Sequence, residues 1–398
     1  MAQSADIPAA EPVSKTSHAR LAWRTWVPWA LVVLAAVIGL VSALNVWVKR
    51  QALDTDNWTN ASSQLLENDK IRGALSVYLV NQLYENSNVT QRLQQRLPPA
   101  LDPLAPQIGL GLEQVAVRAT DQLLARPRIQ ELWREANRRA HKLFIGVLDG
   151  KKGILVSSGG NVVLNLQPIL KQLAEQTGLG GRLEGRLPPD AGKITIMKGN
   201  QLEAARKTVK VIRVLSYFLF FLMLALYAAA MWIARGRRRT LLMGVGVSVL
   251  AVGLVVLVVR RYAGDYLVNA LTTGTDPKDA VNAAWAVGTQ LMRNVGINAV
   301  IYGLGIMFAA WIAGPSRAAT WVRRELAPTM RDRPVVIYGA VAVALFLVLI
   351  AGPTDAQRIF PLLILFCFAF AGTEVLRRQT AREFPAAGHE RVPSGAAG

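Results

Sequence analysis

Cysteine, histidine and acidic residues are all scarce in this chain of 398 residues. Its one cysteine, Cys367, lies in an apolar run, which excludes an intramolecular disulfide, an iron–sulfur cluster and a cysteine-based zinc site. Of the three histidines, His141 alone lies outside the terminal tails, so no second imidazole completes a histidine metal site. The sequence therefore predicts no metal and no cofactor.

Charged residues are few as well, at 18% of the chain against about a quarter in soluble domains, whereas hydrophobic residues reach 52%. The charge is mostly of one sign, because 45 Lys and Arg face 26 Asp and Glu. In so apolar a chain, basic side chains belong at membrane edges or on soluble parts. The composition predicts a membrane protein and argues against a disordered or nucleic-acid-binding one.

Apolar runs long enough to cross a bilayer recur along the chain. A spanning helix needs about 20 apolar residues, and we predict six such helices, at residues 25–48, 211–234, 241–259, 295–314, 334–352 and 358–376. The sixth spans only if the helix continues past Glu374, whose carboxylate then lies within reach of Arg377 and Arg378. The predicted fold class is a mainly α membrane protein with six transmembrane helices.

The first run has a second interpretation as a cleaved signal peptide, because Val41, Ser42 and Ala43 resemble a small-residue cleavage site. A signal peptide has an apolar core of only about 7–15 residues, which is shorter than this run. The run also carries tryptophans near both ends, where membrane-interface aromatics lie. We therefore predict an uncleaved anchor.

Basic residues are distributed unevenly between the two sides that six spans define. They concentrate in the tails, 1–24 and 377–398, and in the connections after the second and fourth spans. The positive-inside rule therefore predicts that both termini lie in the cytoplasm and that residues 49–210 are extracytoplasmic. Four basic residues run against the rule and are expected to reach outer headgroups: Lys49, Arg50, Arg260 and Arg261.

The segment at 49–210 is long enough to form a compact domain of its own. Its pattern predicts two short helices after the first span, the second of them capped by Asp69. Two longer helices are predicted at about 108–124 and 128–148, the latter beginning just after a proline.

The second part of this segment changes from a helical to a strand pattern. Alternating and β-branched residues predict three strands, at 154–156, 162–166 and 193–197. Two helices complete the prediction, one from Pro168 to Gln176 and one from near Gln201 into the second span. The extracytoplasmic domain is therefore predicted to be α+β and mostly helical.

Two connections between spans also carry helical patterns. The outer loop at 260–294 contains an amphipathic helix at 280–287. The inner loop at 315–333 is basic and amphipathic, and such segments lie on anionic lipid with about 1 kcal/mol contributed by each basic residue. The candidate lipid contacts are Arg317, Arg323 and Arg324, although ordinary positive-inside flanking explains these residues equally well.

The best candidate for a site is the helix face formed by Trp133, Asn137 and His141, which are spaced four residues apart. As a functional face, it would use His141 to sense protons or contact a ligand. The alternative is a packing face in which Asn137 or a backbone carbonyl satisfies the imidazole. We favour packing, because the sequence offers neither a second metal ligand nor a nucleophile motif nearby.

The other polar motifs of the sequence do not indicate an enzyme. Asp54, Thr55 and Asp56 begin like a calcium loop, but Trp58 and Thr59 occupy the positions where an EF-hand needs an oxygen ligand and a glycine. A helix cap or linker is the better interpretation. Phosphate-binding glycine loops and the His-Glu-x-x-His and Gly-x-Ser-x-Gly motifs are absent from the sequence. We therefore predict no catalytic residue.

Transport usually leaves ionisable or helix-breaking residues at mid-membrane. The predicted spans offer mainly Asn298, the candidate in-membrane polar residue, with Gly303 and Gly305 in the same span. Helix packing through small residues explains the glycines as well.

Four short motifs lie in order within residues 25–378: Leu53-Asp54-Thr55-Asp56-Asn57-Trp58; Leu132-Trp133 with Asn137 and His141; Asn165-Leu166; and Gly314-Pro315-Ser316-Arg317-Ala318. In order and spacing, the chain resembles a group of uncharacterised multi-pass integral membrane proteins of actinobacteria. The resemblance implies a plasma-membrane protein with no assigned activity, and it adds no catalytic residue.

These features predict a non-enzymatic protein of the cell envelope whose extracytoplasmic domain binds a partner or ligand. The expected partners are membrane lipids and an envelope protein or ligand, and no nucleic acid. A transporter or channel component is the alternative, because an anchor needs only one span. A membrane enzyme acting on envelope substrates ranks third.

Overall fold

The computed structural model describes residues 16–87, 105–150, 155–158, 161–165, 193–234, 236–272, 277–351 and 359–384. Within these ranges the chain is predominantly helical, as predicted. It divides into two compact units. The domain unit comprises the described parts of Ser42–Phe218 and Val258–Arg293, and the bundle unit comprises those of Met1–Val41, Leu219–Leu257 and Asn294–Gly398.

Helices alternate with short connections along most of the described chain. The first half forms α1 (Thr16–Ala52), α2 (Thr55–Glu67), α3 (Asp69–Ser87), α4 (Ala105–Leu124), α5 (Pro127–Leu148), β1 (Leu155–Ser158), β2 (Asn161–Asn165) and β3 (Lys193–Lys198). The second half forms α6 (Gly199–Ile233), α7 (Arg238–Leu271), α8 (Lys278–Gly288), α9 (Gln290–Ile312), α10 (Arg317–Asp332), α11 (Pro334–Ala351) and α12 (Ile359–Glu383).

Four of the described helices are long and apolar enough to cross a membrane, judged by length and composition: α1, α6, α7 and α9. They coincide with the first four predicted spans. The other two predicted spans, 334–352 and 358–376, fall on α11 and α12, which are not among the four. The connection between them, 352–358, lies outside the described residues. A total of six spans therefore stays a prediction.

Helix α7 is longer than the apolar run that it contains. Its 34 residues extend over about 51 Å at 1.5 Å per residue, against a hydrocarbon core of about 30 Å. The first part of the segment predicted as an outer loop at 260–294 is helical, because α7 continues through Leu271, and its location outside the membrane stays a prediction. The length of an apolar run indicates how much of a helix can contact hydrocarbon, but it does not show where the helix ends. The helix predicted at 280–287 lies within α8.

The core of the bundle unit is built from small and medium-sized side chains of three helices. Buried residues of α1, α6 and α7 form one cluster, comprising Val32, Ala35, Tyr227, Ala230, Ala234, Leu241 and Val245. Helices α7 and α9 approach most closely through glycines. A Cβ atom at Gly303 would lie 2.5 Å from the backbone nitrogen of Leu250, and one at Gly253 would lie 2.7 Å from the carbonyl oxygen of Gly296. The glycines therefore set the distance between the two helices.

Side-chain caps define the first helices of the domain unit. Asp54 caps α2 by accepting hydrogen bonds from the amides of Asp56 and Asn57, at 3.1 and 3.0 Å, which agrees with the predicted capping role. At the start of α3, the Asn68 side chain accepts from the amide of Lys70 at 3.1 Å. The prediction that Asp69 is the cap was wrong, because the carboxylate of Asp69 instead binds Arg72.

The C-terminal end of α5 packs against the beginning of α6. Val147 and Leu148 form a buried cluster with Leu202 and Val209. Gly150 follows with φ of +73°, the left-handed conformation that commonly terminates a helix. The contact explains why α6 begins well before its apolar run.

Three antiparallel strands lie between α5 and α6, in the spatial order β1-β2-β3. Leu155 pairs with Leu164, and Val163 pairs with Thr195 after an irregularity in β2. The strands overlap the segments predicted at 154–156, 162–166 and 193–197. The helix predicted from Pro168 to Gln176 lies outside the described residues.

Candidate functional site

His141 is buried between α1, α2 and α5, with 4% of its surface exposed. Its Nε2 lies 3.2 Å from the carbonyl oxygen of Ala52, and its Nδ1 lies 3.1 Å from the hydroxyl oxygen of Thr55. The Trp58 ring stacks on the imidazole, with ring centroids 5.1 Å apart. Because Ala52 ends α1 and Thr55 begins α2, one imidazole binds both sides of the break between the two helices.

These partners determine which ring nitrogen carries the proton. A carbonyl oxygen can only accept, so Nε2 of His141 donates to Ala52, and Nδ1 accepts from the Thr55 hydroxyl. Both nitrogens of a neutral imidazole are then satisfied within the fold, and a satisfied buried group has no need of a ligand. This geometry agrees with the packing interpretation in which a backbone carbonyl binds His141.

The other two residues of the predicted face are occupied locally. Trp133 donates from Nε1 to the carbonyl of Ser62 on α2, at 2.9 Å. Asn137 donates to the carbonyl of Trp133, at 2.9 Å, as one helical turn allows. Trp133 and His141 therefore both contact the α2 side of α5, whereas Asn137 contacts its own helix.

Arginines beside this face hold α2 against α5. Arg138 binds Asp56 at 2.7 Å, and Arg134 lies 3.7 Å from Glu67. All four side chains are substantially exposed, so each pair contributes little to stability. Their carboxylate partners leave these arginines poorly suited to receive an anionic ligand.

Metal binding finds no support in the described part of the chain. There, no group of three or more histidine, cysteine, aspartate or glutamate side chains is arranged to hold an ion. Asp54, the first residue of the calcium-like sequence, uses its carboxylate to cap α2.

Arg323, predicted as a lipid contact, is enclosed in the bundle unit, with 2% of its side chain exposed. Its guanidinium donates to the carboxylate of Glu383 at 2.8 Å, to the carbonyl of Gly314 at 2.7 Å and to the carbonyl of Ile312. The prediction of a lipid contact was wrong for this residue, because its donors bind the end of α9. The sequence indicated that this segment is basic, but it did not show that the side of α10 with Arg323 packs inward.

Two further side chains bind the same helix end. Arg239 donates to the carbonyl of Ala310 at 3.0 Å, and Gln379 donates to that of Ala313 at 3.3 Å. The last carbonyls of a helix have no partner within it and carry partial negative charge. Arginines from α7 and α10 therefore satisfy the end of α9, a role that no sequence motif indicated.

Glu383 faces Arg323 from α12. Partial burial raises the pKa of Glu383, but hydrogen bonds from Gln379 and Arg323 outweigh it, and the pKa lies below its ordinary value of 4.5. The carboxylate is therefore charged at neutral pH and balances the enclosed guanidinium.

The opposite face of α10 is exposed and basic. Arg317 and Arg324, the other two predicted lipid contacts, lie on it with Arg331 and with Trp321, which is 66% exposed. The spacing of four, three and seven residues places these side chains along one stripe.

Asn298, the predicted in-membrane polar residue, lies half-buried in α9. The neighbouring Gly303 is used for contact with α7, whereas a Cβ atom at Gly305 would meet nothing within 4 Å. A transport role for Asn298 stays a prediction.

A basic cluster at the beginning of α9 was not recognised as a site from the sequence. Arg260 of α7 donates from Nε to the Thr289 hydroxyl at 2.8 Å and to the Thr289 carbonyl at 3.3 Å. The backbone amide of Arg293 binds the same carbonyl, at 3.0 Å. The departure of Arg260 from the positive-inside pattern was the one available signal.

Comparison with known proteins found no matching family model, no similar curated protein and no similar solved structure.

Proposed function

We propose that the chain is a non-enzymatic, multi-pass plasma-membrane protein whose extracytoplasmic domain binds an envelope protein. The observation that carries this proposal is the large amount of exposed apolar surface on α3 and α4, in the segment between the first two spanning helices. Soluble surfaces rarely present contiguous apolar patches unless they contact another protein or a membrane.

The exposed apolar residues occur on both helices of this pair. Those of α3 are Val77, Tyr78, Leu79 and Leu83, and those of α4 are Leu110, Leu112, Val115 and Leu123. A salt bridge of 2.9 Å between Arg72 and Asp121 joins the beginning of α3 to the end of α4. The two helices therefore run antiparallel, and their apolar residues belong to one hairpin.

The polar groups of the domain unit are engaged elsewhere. His141 binds Ala52 and Thr55, and Arg138 binds Asp56, so these groups stabilise the domain itself. The exposed apolar residues of the hairpin are therefore the candidate contact surface. We infer that the partner is a protein with an apolar surface, and that the chain catalyses no reaction.

The proposed topology has six spans, both termini in the cytoplasm and residues 49–210 outside. It is supported by the basic tails and by the basic connections after the second and fourth spans. The motifs that resemble the actinobacterial membrane proteins support the same location.

Site-specific photocrosslinking of the full chain in its native membrane tests the proposal. A photoreactive residue replaces Leu83 or Leu110 on the hairpin, or Leu132 on α5 as the control. The three positions are matched in exposure, at 59%, 61% and 60%. We expect one discrete adduct from positions 83 and 110, and none from position 132.

A second variant separates specific binding from proximity. Leu110→Gln should remove the adduct formed from position 83, whereas Leu132→Gln should leave it unchanged. Identical adducts from all three positions, or their absence from 83 and 110, would contradict a partner at the hairpin.

A further inference from the structure

We propose that Arg260, whose guanidinium is fixed on Thr289, and Arg293, one helical turn after Thr289, bind the phosphate headgroup of an anionic lipid. The inference goes beyond the proposed protein partner and does not depend on it. It concerns one arginine that a buried threonine holds by its side chain, and a second whose backbone amide binds the carbonyl of the same threonine.

Thr289 organises the cluster. Its side chain is buried, its hydroxyl donates to the carbonyl of Trp285 at 2.6 Å, and its carbonyl accepts from both Arg260 and the amide of Arg293. The residue connects the end of α8 to the beginning of α9. The Arg260 guanidinium is therefore held in place before any ligand binds.

Trp285 fixes the same region from the other side. Its Nε1 donates to the carbonyl of Arg260 at 3.2 Å. A Cβ atom at Gly264 would overlap the Trp285 indole, so α7 and α8 are in close contact there. The backbone that carries Arg260 is thus packed against the element that carries Thr289.

The cluster has positive charge without a matching carboxylate. Within the described residues, Arg260 and Arg293 take part in no ion pair, and Asp279 of nearby α8 pairs with Lys70 at 3.1 Å. Arg260 uses its Nε on Thr289, which leaves its two terminal nitrogens to form a fork. Guanidinium forks match the oxygens of phosphate and bind them through paired hydrogen bonds.

The position along the chain favours a lipid headgroup over a soluble anion. Arg260 directly follows the apolar run at 241–259, so it lies where a spanning helix leaves the hydrocarbon. Headgroup phosphates occupy the same level of the bilayer. Two arginines at this position also explain a departure from the positive-inside pattern, because a bound anion compensates their charge.

Lipid retention by the full chain in nanodiscs tests the site. Nanodiscs contain phosphatidylglycerol in phosphatidylcholine, and native mass spectrometry counts the phosphatidylglycerol molecules that remain bound. Arg260→Gln and Arg293→Gln should each weaken retention of one phosphatidylglycerol by about tenfold, since each removes charge-assisted hydrogen bonds.

Arg261→Gln is the matched control: Arg261 has the same charge and is also expected near headgroups, but no hydrogen bond to Thr289 fixes its guanidinium in the described structure. It should retain the lipid as the unmodified chain does. Arg293→Gln leaves the bonds between Arg260 and Thr289 intact, so this variant still tests the site if Arg260→Gln fails to fold.

Two outcomes would overturn the proposal. The first is equal retention by the Arg260, Arg293 and Arg261 variants. The second is saturable binding of inorganic phosphate in pure phosphatidylcholine nanodiscs without any preference for phosphatidylglycerol, which would assign the cluster to a soluble anion.

Discussion

Both units contain helix ends whose carbonyls bind arginines, and two of these arginines, Arg206 and Arg323, differ in their surroundings. In the domain unit, Arg206 donates to the carbonyl of Val147 near the end of α5 and keeps part of its surface in solvent. In the bundle unit, Arg323 is enclosed and binds two carbonyls and a carboxylate. Water can replace a partner lost by an exposed group, but not one lost by an enclosed group. The same type of contact should therefore matter more in the bundle unit.

Helix contacts show the same difference. In the bundle unit, α7 and α9 approach at backbone distance through glycines, and no side chain can be added without moving a helix. In the domain unit, α2 and α5 are joined partly by exposed ion pairs such as Arg138 with Asp56. Exposed pairs tolerate substitution.

The largest expected effect is in the bundle unit. Gly303→Leu should lower the free energy of unfolding by about 4 kcal/mol or prevent folding, because its side chain would overlap the backbone at Leu250. Thermal unfolding and gel filtration of the full chain in detergent measure the effect. Gly305→Leu is the control and should be nearly neutral, since a Cβ atom there meets nothing within 4 Å. Equal losses in both variants would contradict the glycine contact.

The next effect concerns the enclosed arginine. Arg323→Gln should cost about 3 kcal/mol of stability, because it leaves helix carbonyls and Glu383 without their partner. The exposed neighbour Arg324 is the matched control, and Arg324→Gln should change the thermal midpoint little. A small effect at Arg323 would remove the basis for the contrast between the two units.

In the domain unit, the largest effect is expected at the buried histidine. His141→Ala should cost about 2–3 kcal/mol, because it opens a cavity and leaves the Thr55 hydroxyl and the Ala52 carbonyl without a partner. Asn137→Ala, on the same face of α5, removes one local hydrogen bond and should cost less than about 0.5 kcal/mol. Chemical or thermal unfolding of the full chain compares the two variants.

Arg206→Gln is the direct counterpart of Arg323→Gln. Its expected cost is about 1 kcal/mol, because the Val147 carbonyl keeps its hydrogen bond from the Gly150 amide, at 3.2 Å, once the arginine is removed. Thermal midpoints of both variants under one set of conditions give the comparison. A loss at Arg206 as large as that at Arg323 would show that enclosure does not govern the strength of these contacts.

The smallest predicted effect is a pH dependence at Glu383. Its pKa is lowered in the folded state, so it contributes stability above its ordinary pKa of 4.5, and this contribution is lost as the pH falls below that value. The carboxylate is about one-third exposed, so the change should stay below about 1 kcal/mol. Glu383→Gln should remove this part of the acid dependence, which thermal scans from about pH 6 down to about pH 3 measure.

Some features were predictable because they depend only on neighbouring residues. The four helices long and apolar enough to cross a membrane follow from apolar runs of sufficient length, and the capping role of Asp54 follows from its position before a helix. The same local information misplaced the cap of α3 by one residue, because Asn68 and Asp69 are both suitable N-cap types.

Other features depend on contacts between distant parts of the chain. The hydrogen-bond partners of His141 lie 86 and 89 residues away in the sequence. The helical spacing of Trp133, Asn137 and His141 could therefore indicate that they share a face, but not which residues that face contacts. Likewise, the basic composition of α10 does not show which arginine faces inward. Arg323 binds Glu383, which is 60 residues away, and only that packing separates it from Arg324.

The contact of His141 with both sides of the break between α1 and α2 has a mechanical consequence. Leu53 and Asp54 form a joint of only two residues, which Asn57 of α2 also spans by donating to the carbonyl of Arg50 on α1, at 3.2 Å. The imidazole ties the last residue of α1 and the first residue of α2 to α5. The last turn of α1 and the first turn of α2 are thus both attached to α5. A displacement of this end of α1 should therefore move α5 with it, and the angle between α1 and α2 should change little.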